Sequence, residues 1–361
     1  MQMPKQLNDL LKATSRSFYL TLRVLPAAVR PQIGLAYLLA RTTDTIADTE
    51  LVPLEQRLDA LKRLRERILG PSTAPLNFGG LAQHQGSPAE KLLLEKTEDS
   101  LTLLQTLSPA DQQLVRAVLN TITGGQELDL RRFGRWGETA GEPSSTLAAR
   151  GDARPTNQII ALETAAQLDD YTYRVAGCVG EFWTKMCRAH LFPNLRLDDA
   201  QLLADGVRFG KGLQLVNILR DLPADLKKGR CYLPSDKLEK AGLMPSMLLS
   251  PVNEVKFRPL FHEYLDRAES HLAAGWAYTN TLPFGQVRVR LACALPILIG
   301  MKTIERLRAA SVLELQQHMK VPRGEVRRIR LRLILFYPLP VMWQKLFSTT
   351  GKAVASEGKL A

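Results

Sequence analysis

Apolar residues recur at helical spacing along most of the chain. In "LEQRLDALKRLRERIL" (residues 54–69), Leu54, Leu58, Leu61, Leu64 and Ile68 form one stripe with charges opposite, which predicts an amphipathic helix. "LTLLQTLSPADQQLVRAVLNTI" predicts two helices, because Ser108 followed by Pro109 is an N-cap and a first-turn proline. "ADGVRFGKGLQLVNILRDL" and "YLDRAESHLAAGWAYTNTL" continue the pattern. Strand-like alternation of useful length is scarce, so the fold class expected is all-α. Gly70–Pro88 and Gly137–Asn157 are rich in turn-forming residues and are expected to be surface loops within one domain.

Composition narrows the picture only in part. The 361 residues are 45% apolar, enough for a large core. The four cysteines form no CxxC pair and the histidines lie at no metal-ligand spacing, so neither a disulfide framework nor a zinc site is expected. With no secretion-like N-terminus, a cytoplasmic location is expected. The net charge of +12 is uneven: residues 302–361 hold twelve Lys/Arg against four Glu. Basic surface of this kind suits nucleic acid, anionic lipid or a polyphosphate substrate.

Candidate chemistry lies in two carboxylate pairs, Asp44/Asp48 and Asp221/Asp225, each at i and i+4. On a helix this spacing puts both acids on one face, where they repel unless a cation bridges them. Mg²⁺ favours such oxygen donors. Gln214, Asn217, Asp221 and Asp225 share one helical stripe, and Lys227, Lys228 and Arg230 follow at once. Acids for a metal beside cations for phosphate oxygens suit a metal–diphosphate. A solvated charge run is the alternative reading.

Four stretches carry a resemblance to a known family. "NILRDLPADLKKGRCYLP" (residues 217–234) and "DTIAD" (residues 44–48) resemble the two aspartate-rich motifs of the squalene and phytoene synthases, which condense prenyl diphosphates head to head. "SRSFYLTLRVLP" (residues 15–26) and "YTYRVAGCVG" (residues 171–180) resemble two further motifs, in the family's order. The resemblance implies a single-domain isoprenoid-synthase helical bundle over residues 1–325, built around a deep apolar cavity. Residues 326–361 would form a basic, aromatic tail. Asp44, Asp48, Asn217, Asp221 and Asp225 would hold Mg²⁺, with Tyr171 assisting proton transfer. Ser15, Arg16, Ser17, Phe18, Tyr37, Arg41, Val175, Gly177, Val179, Gln214, Asn217, Arg220, Lys228 and Arg230 would line the substrate. Gly177 and Gly180 would equally serve close helix packing, and Phe18 and Tyr37 could be plain core.

Ala47, Ala224 and Thr172 depart from common family residues, but none replaces an acid assigned to chemistry. "CALP" (residues 293–296) resembles squalene synthases more than phytoene synthases, whereas Ala292 stands where animal squalene synthases carry Phe. The implied reaction joins two farnesyl diphosphates through presqualene diphosphate to squalene, with NADPH as reductant. Phytoene, dehydrosqualene or hydroxysqualene synthesis without reduction is the alternative. No Gly-x-Gly-x-x-Gly follows a strand, so a Rossmann site for NADPH is not expected.

In "VRRIRLRLILFYPLPVMWQKLF" (residues 326–347), arginines and prolines interrupt the apolar run, which argues against a membrane span. Peripheral contact with an anionic membrane is the expectation for this tail, and a helix capping the bundle is the alternative. A basic helical scaffold or nucleic-acid-binding protein is the rival reading of the whole chain. It gives the aspartates no role, and nucleic acid is not expected as a partner.

Overall fold

A computed structural model describes residues 3–15, 18–70, 72–134, 159–314 and 319–350. Among these the chain is helical almost throughout, and its two strands have two residues each. The all-α expectation holds. The chain divides into two compact units, residues 1–156 with 181–196 and residues 157–180 with 197–361.

In the first unit, the helices Arg30–Ala47, Leu54–Leu69 and Pro109–Phe133 pack on one another. The amphipathic stripe read from residues 54–69 is the buried face: Leu54, Leu58, Leu61, Leu64 and Ile68 are all enclosed. Gly70 ends that helix at φ 98°, a left-handed cap that glycine adopts without steric cost. Ser108 caps the long helix by accepting a hydrogen bond from the Asp111 N–H at 3.2 Å, and Pro109 occupies its first position. The 70–88 segment is less irregular than its composition suggests, since Gly79–Gln83 forms a short helix and Pro88 begins another. The 137–157 segment lies outside the described residues.

The second unit is organised by the 29-residue helix Asp199–Lys227, which packs along Glu254–Thr281 and also touches Val287–Ala309. Small residues set how closely its neighbours approach. A Cβ at Gly210 would lie 2.2 Å from the Ala176 carbonyl oxygen, and one at Gly212 would lie 2.9 Å from the His271 Cβ. The Asp199–Lys227 helix tolerates Pro223 near its end and stops at Lys228. Gly229 then takes φ 71° and turns the chain into Arg230–Cys231, which pairs in parallel with Ile160–Ala161.

Candidate active site

The Arg30–Ala47 helix carries Tyr37, Arg41 and Asp44, and Asp48 caps its end by donating its backbone N–H to the Asp44 carbonyl at 2.8 Å. Spacings of four, three and four residues keep these side chains on one face. The opposite face, with Leu35, Leu38, Leu39, Thr42 and Ile46, is fully buried. This burial against the neighbouring helices fixes where the acidic face points.

Asp44 sits in dense surroundings, although solvent still reaches 47% of its side chain. Burial pushes its carboxyl up to about 7, and the charge of Asp48 adds to the effect; Arg41 and a hydrogen bond from Gln126 pull the other way. The Gln126 side-chain amide donates to Asp44 Oδ1. Arg41 Nη1 lies 3.8 Å from Asp44 Oδ2, while its Nη2 donates to Glu90 Oε1 at 2.5 Å. Arg41 is therefore positioned between two acids.

In the second unit, Gln214, Asn217, Asp221 and Asp225 all lie on the half-buried side of the Asp199–Lys227 helix, between the buried Leu215, Ile218, Leu222 and Leu226. Arg220 donates through Nε to Asp221 Oδ1 at 2.8 Å and through Nη2 to Oδ2 at 2.5 Å. The Asp221 hydrogen bond is the main reason the Arg220 guanidinium is raised above its usual range, against the cost of its burial. By position alone these residues divide between metal and phosphate; here they pair with each other. Lys228 is exposed at the helix end, and Arg230 is half-buried on the short strand.

Tyr171 belongs to the Ala165–Thr172 helix and stacks on the buried Tyr232, ring centroids 4.6 Å apart. A π-helical turn, Tyr173–Gly177, follows directly. Such turns recur at functional sites. Val175 is half-buried in it and Val179 is 38% exposed beyond it. Gly177 is buried, and its added Cβ would meet Tyr173, Lys211 and Val207 at 3.1–3.3 Å. A Cβ at Gly180 would lie 1.9 Å from the Gly206 carbonyl oxygen. Both glycines are thus used in close helix packing.

Two groups near these motifs were not singled out from the sequence. Asp169 accepts from Lys211 Nζ at 2.7 Å and from Arg267 Nη2 at 3.0 Å. Burial opposes ionisation of Asp169, but these cations outweigh it and hold the carboxyl below its usual range. Gln126 lies on the buried stripe of its helix, between Ile122 and Leu130, and a polar residue on an apolar stripe is the signal that could have identified it. Ser15 is buried and donates its hydroxyl to the Leu11 carbonyl, so it is engaged by its own helix. Arg16, Ser17 and the Phe18 side chain lie outside the described residues.

Among the described residues no three His, Cys, Asp or Glu side chains cluster as a ready-made metal site. The donor chemistry still fits a hard divalent ion. Asp44 and Asp48 supply only oxygen, repel each other, and would be relieved by a bridging cation.

The sequence profile described as squalene/phytoene synthase matches residues 11–325. The chain belongs to that family. Among proteins similar to this squalene/phytoene synthase relative, Squalene synthase ERG9 of Saccharomyces cerevisiae is 24% identical over 302 residues, 82% of this chain and 60% of the yeast protein. The presqualene diphosphate synthase of Rhodopseudomonas palustris is 27% identical over 271 residues, 75% of this chain and 77% of that one. The chain spans about three-fifths of the length of the curated yeast squalene synthases it matches. In fold it resembles TcSQS in complex with the ligand BPH1237, with a TM-score of 0.72 at 21% identity, covering 96% of this chain and 89% of that one. That likeness extends the all-helical description to the family's architecture.

Proposed function

We propose that the protein condenses two molecules of farnesyl diphosphate head to head, through presqualene diphosphate, to squalene, with NADPH reducing the final cation. The observation that carries this reading is the pair of acids on the Arg30–Ala47 helix, where burial and Asp48 make the Asp44 charge costly unless a cation is bound. Family membership supports head-to-head condensation of prenyl diphosphates. The resemblance of residues 293–296 ("CALP") to squalene synthases favours the squalene branch; Cys293 is buried in the Val287–Ala309 helix.

Asp44 and Asp48, with Asn217, Asp221 and Asp225, would hold Mg²⁺, which supplies charge stabilisation to the departing diphosphate. Gln126 and Arg41 orient Asp44 from either side, so that acid reaches its ligand with little freedom to lose. Arg220 neutralises Asp221 and exchanges that partner for phosphate oxygens, a task suited to the guanidinium fork. Tyr171, steadied by Tyr232, assists removal of the proton lost as the cyclopropane closes, and a diphosphate oxygen is the final acceptor. The apolar cavity that the family resemblance implies would exclude water, which would otherwise capture the carbocation as an alcohol. Balanced overall, two farnesyl diphosphates, NADPH and a proton yield squalene, two diphosphates and NADP⁺.

The test is product analysis by mass spectrometry after incubation with Mg²⁺ and farnesyl or geranylgeranyl diphosphate, with and without NADPH. Squalene formed only with NADPH is the expected result. Phytoene from the longer substrate, or an unreduced or hydroxylated C30 product despite NADPH, would replace the squalene assignment.

A further inference from the structure

The last described residues form two helices, Arg323–Phe336 and Pro340–Thr350, separated at Pro338. Their inner side is anchored. Ile329, Leu333, Trp343 and Leu346 are buried. The Arg290 guanidinium lies over three rings, Phe284, Tyr337 and Trp343, at 5.6–5.7 Å from each centroid. Arg290 Nη2 and Trp343 Nε1 both donate to Asn280 Oδ1, at 3.0 and 2.7 Å. Trp276 stacks on Trp343 and Phe347 at 5.2 and 5.8 Å. Anchored in this way, the pair has a defined outer side.

That outer side is apolar where a solvated face would be polar. Leu331, Ile334, Leu335, Leu339, Val341 and Met342 are between 42% and 68% exposed. At about 100° per residue, Leu331, Ile334 and Leu335 occupy the middle of the outward face of the first helix. Arg328 and Arg332 flank them on one edge and Arg330 on the other, and all three arginines are exposed, as is Arg327 one turn earlier. An apolar strip between guanidinium rows matches a lipid–water interface, where the chains enter the acyl boundary and long basic side chains reach back to the headgroups.

Charge selects the occupant. Residues 326–350 contain four arginines and one lysine and no acid. A second copy docking through the same face would bring like charges together, whereas an anionic surface would neutralise them. No described helix is long and apolar enough to cross a membrane. We propose that the outer face of the 323–350 helix pair lies in the plane of an anionic lipid bilayer, with Leu331, Ile334 and Leu335 inserted and Arg327, Arg328, Arg330 and Arg332 on the headgroups. The proposal holds whichever hydrocarbon the protein makes.

Co-sedimentation of the full chain with vesicles tests it. Binding is expected to equimolar phosphatidylcholine–phosphatidylglycerol vesicles and not to phosphatidylcholine alone. The triple variant Leu331→Ser, Ile334→Ser, Leu335→Ser should lose binding. The variant Arg327→Gln, Arg328→Gln, Arg330→Gln should lose about fivefold per charge, the equivalent of about 1 kcal/mol for each basic residue near an anionic surface. All six side chains are exposed or replaced on the solvent side, so unchanged circular dichroism and Tm are expected. No binding to anionic vesicles, equal binding to neutral ones, or undiminished binding of the serine variant would overturn the proposal. So would light scattering that shows a dimer split by the serine variant, because the face would then belong to a second copy.

Discussion

Arg220 grips the residue next to it in the chain, placing Nε 2.8 Å and Nη2 2.5 Å from the two carboxylate oxygens of Asp221. In the proposed mechanism Asp221 would bind metal and Arg220 phosphate, and their pairing would keep both neutralised until substrate separates them. Asp221→Ala should cut diphosphate release from farnesyl diphosphate by about 100-fold or more, in the range seen when one preorganised charge-stabilising group is removed. Circular dichroism should be unchanged. Wild-type turnover in this variant would remove Asp221 from the proposed site.

Like charge at Asp44 and Asp48 should be measurable without turnover. Removing the repulsion by Asp44→Asn is expected to raise Tm in EDTA, because burial no longer opposes an ionised group there. Added Mg²⁺ should raise the wild-type Tm by mass action and raise that of Asp44→Asn less. Equal Mg²⁺ shifts in both proteins would argue against Asp44 as a ligand.

Gly180 packs directly on the backbone at Gly206, so Gly180→Ala has no flexible neighbour to displace. It should cost about 1–3 kcal/mol in urea unfolding, the usual range for overpacking. A midpoint equal to wild type would show that the two helices separate easily.

His271 gives the stability curve a defined acid limb. Burial lowers its pKa from 6.5 to about 4, and Arg208, Arg267 and Lys211 act in the same sense against Asp169. Below pH 6.5 the unfolded chain therefore takes up a proton that the folded chain refuses until about pH 4. Stability contributed by the neutral ring is present above 6.5 and is lost as pH falls toward 4. In His271→Gln, the decline of Tm across this window should be shallower than in wild type.

Arg290→Met keeps an unbranched stem and removes the cation shared by three rings, together with its hydrogen bonds to Leu282 and Asn280. Hydrogen exchange across residues 323–350 should accelerate more than exchange in the Asp199–Lys227 helix. A loss of about 0.5–2 kcal/mol is expected for the cation–π contacts.

Fold class was legible because the stripes are regular: the five residues read as one face of the 54–69 helix are the ones buried in it. The candidate site residues could be singled out because the chemistry proposed for them depends on spacing within single helices. Partnerships between distant residues were not. Glu90 reaches Arg41 across 49 positions and Gln126 reaches Asp44 across 82, separations that carry no periodic signal. Arg220 shows the converse limit, since its type and position suit a phosphate while its present partner is the adjacent acid. Ser15 belongs to a family-like motif, yet its hydroxyl returns to Leu11.

The π-helical turn at Tyr173–Gly177 has a mechanical consequence. Holding one surplus residue, it offsets the rotation of everything before it by about 100° relative to everything after it. Tyr171 can therefore face Tyr232 while Gly180 faces Gly206, two aims set separately on one continuous rod. A single-residue deletion between Tyr173 and Gly177 would straighten the rod and force one contact to be surrendered for the other. The motif's length, as much as its letters, is what keeps the tyrosine aimed.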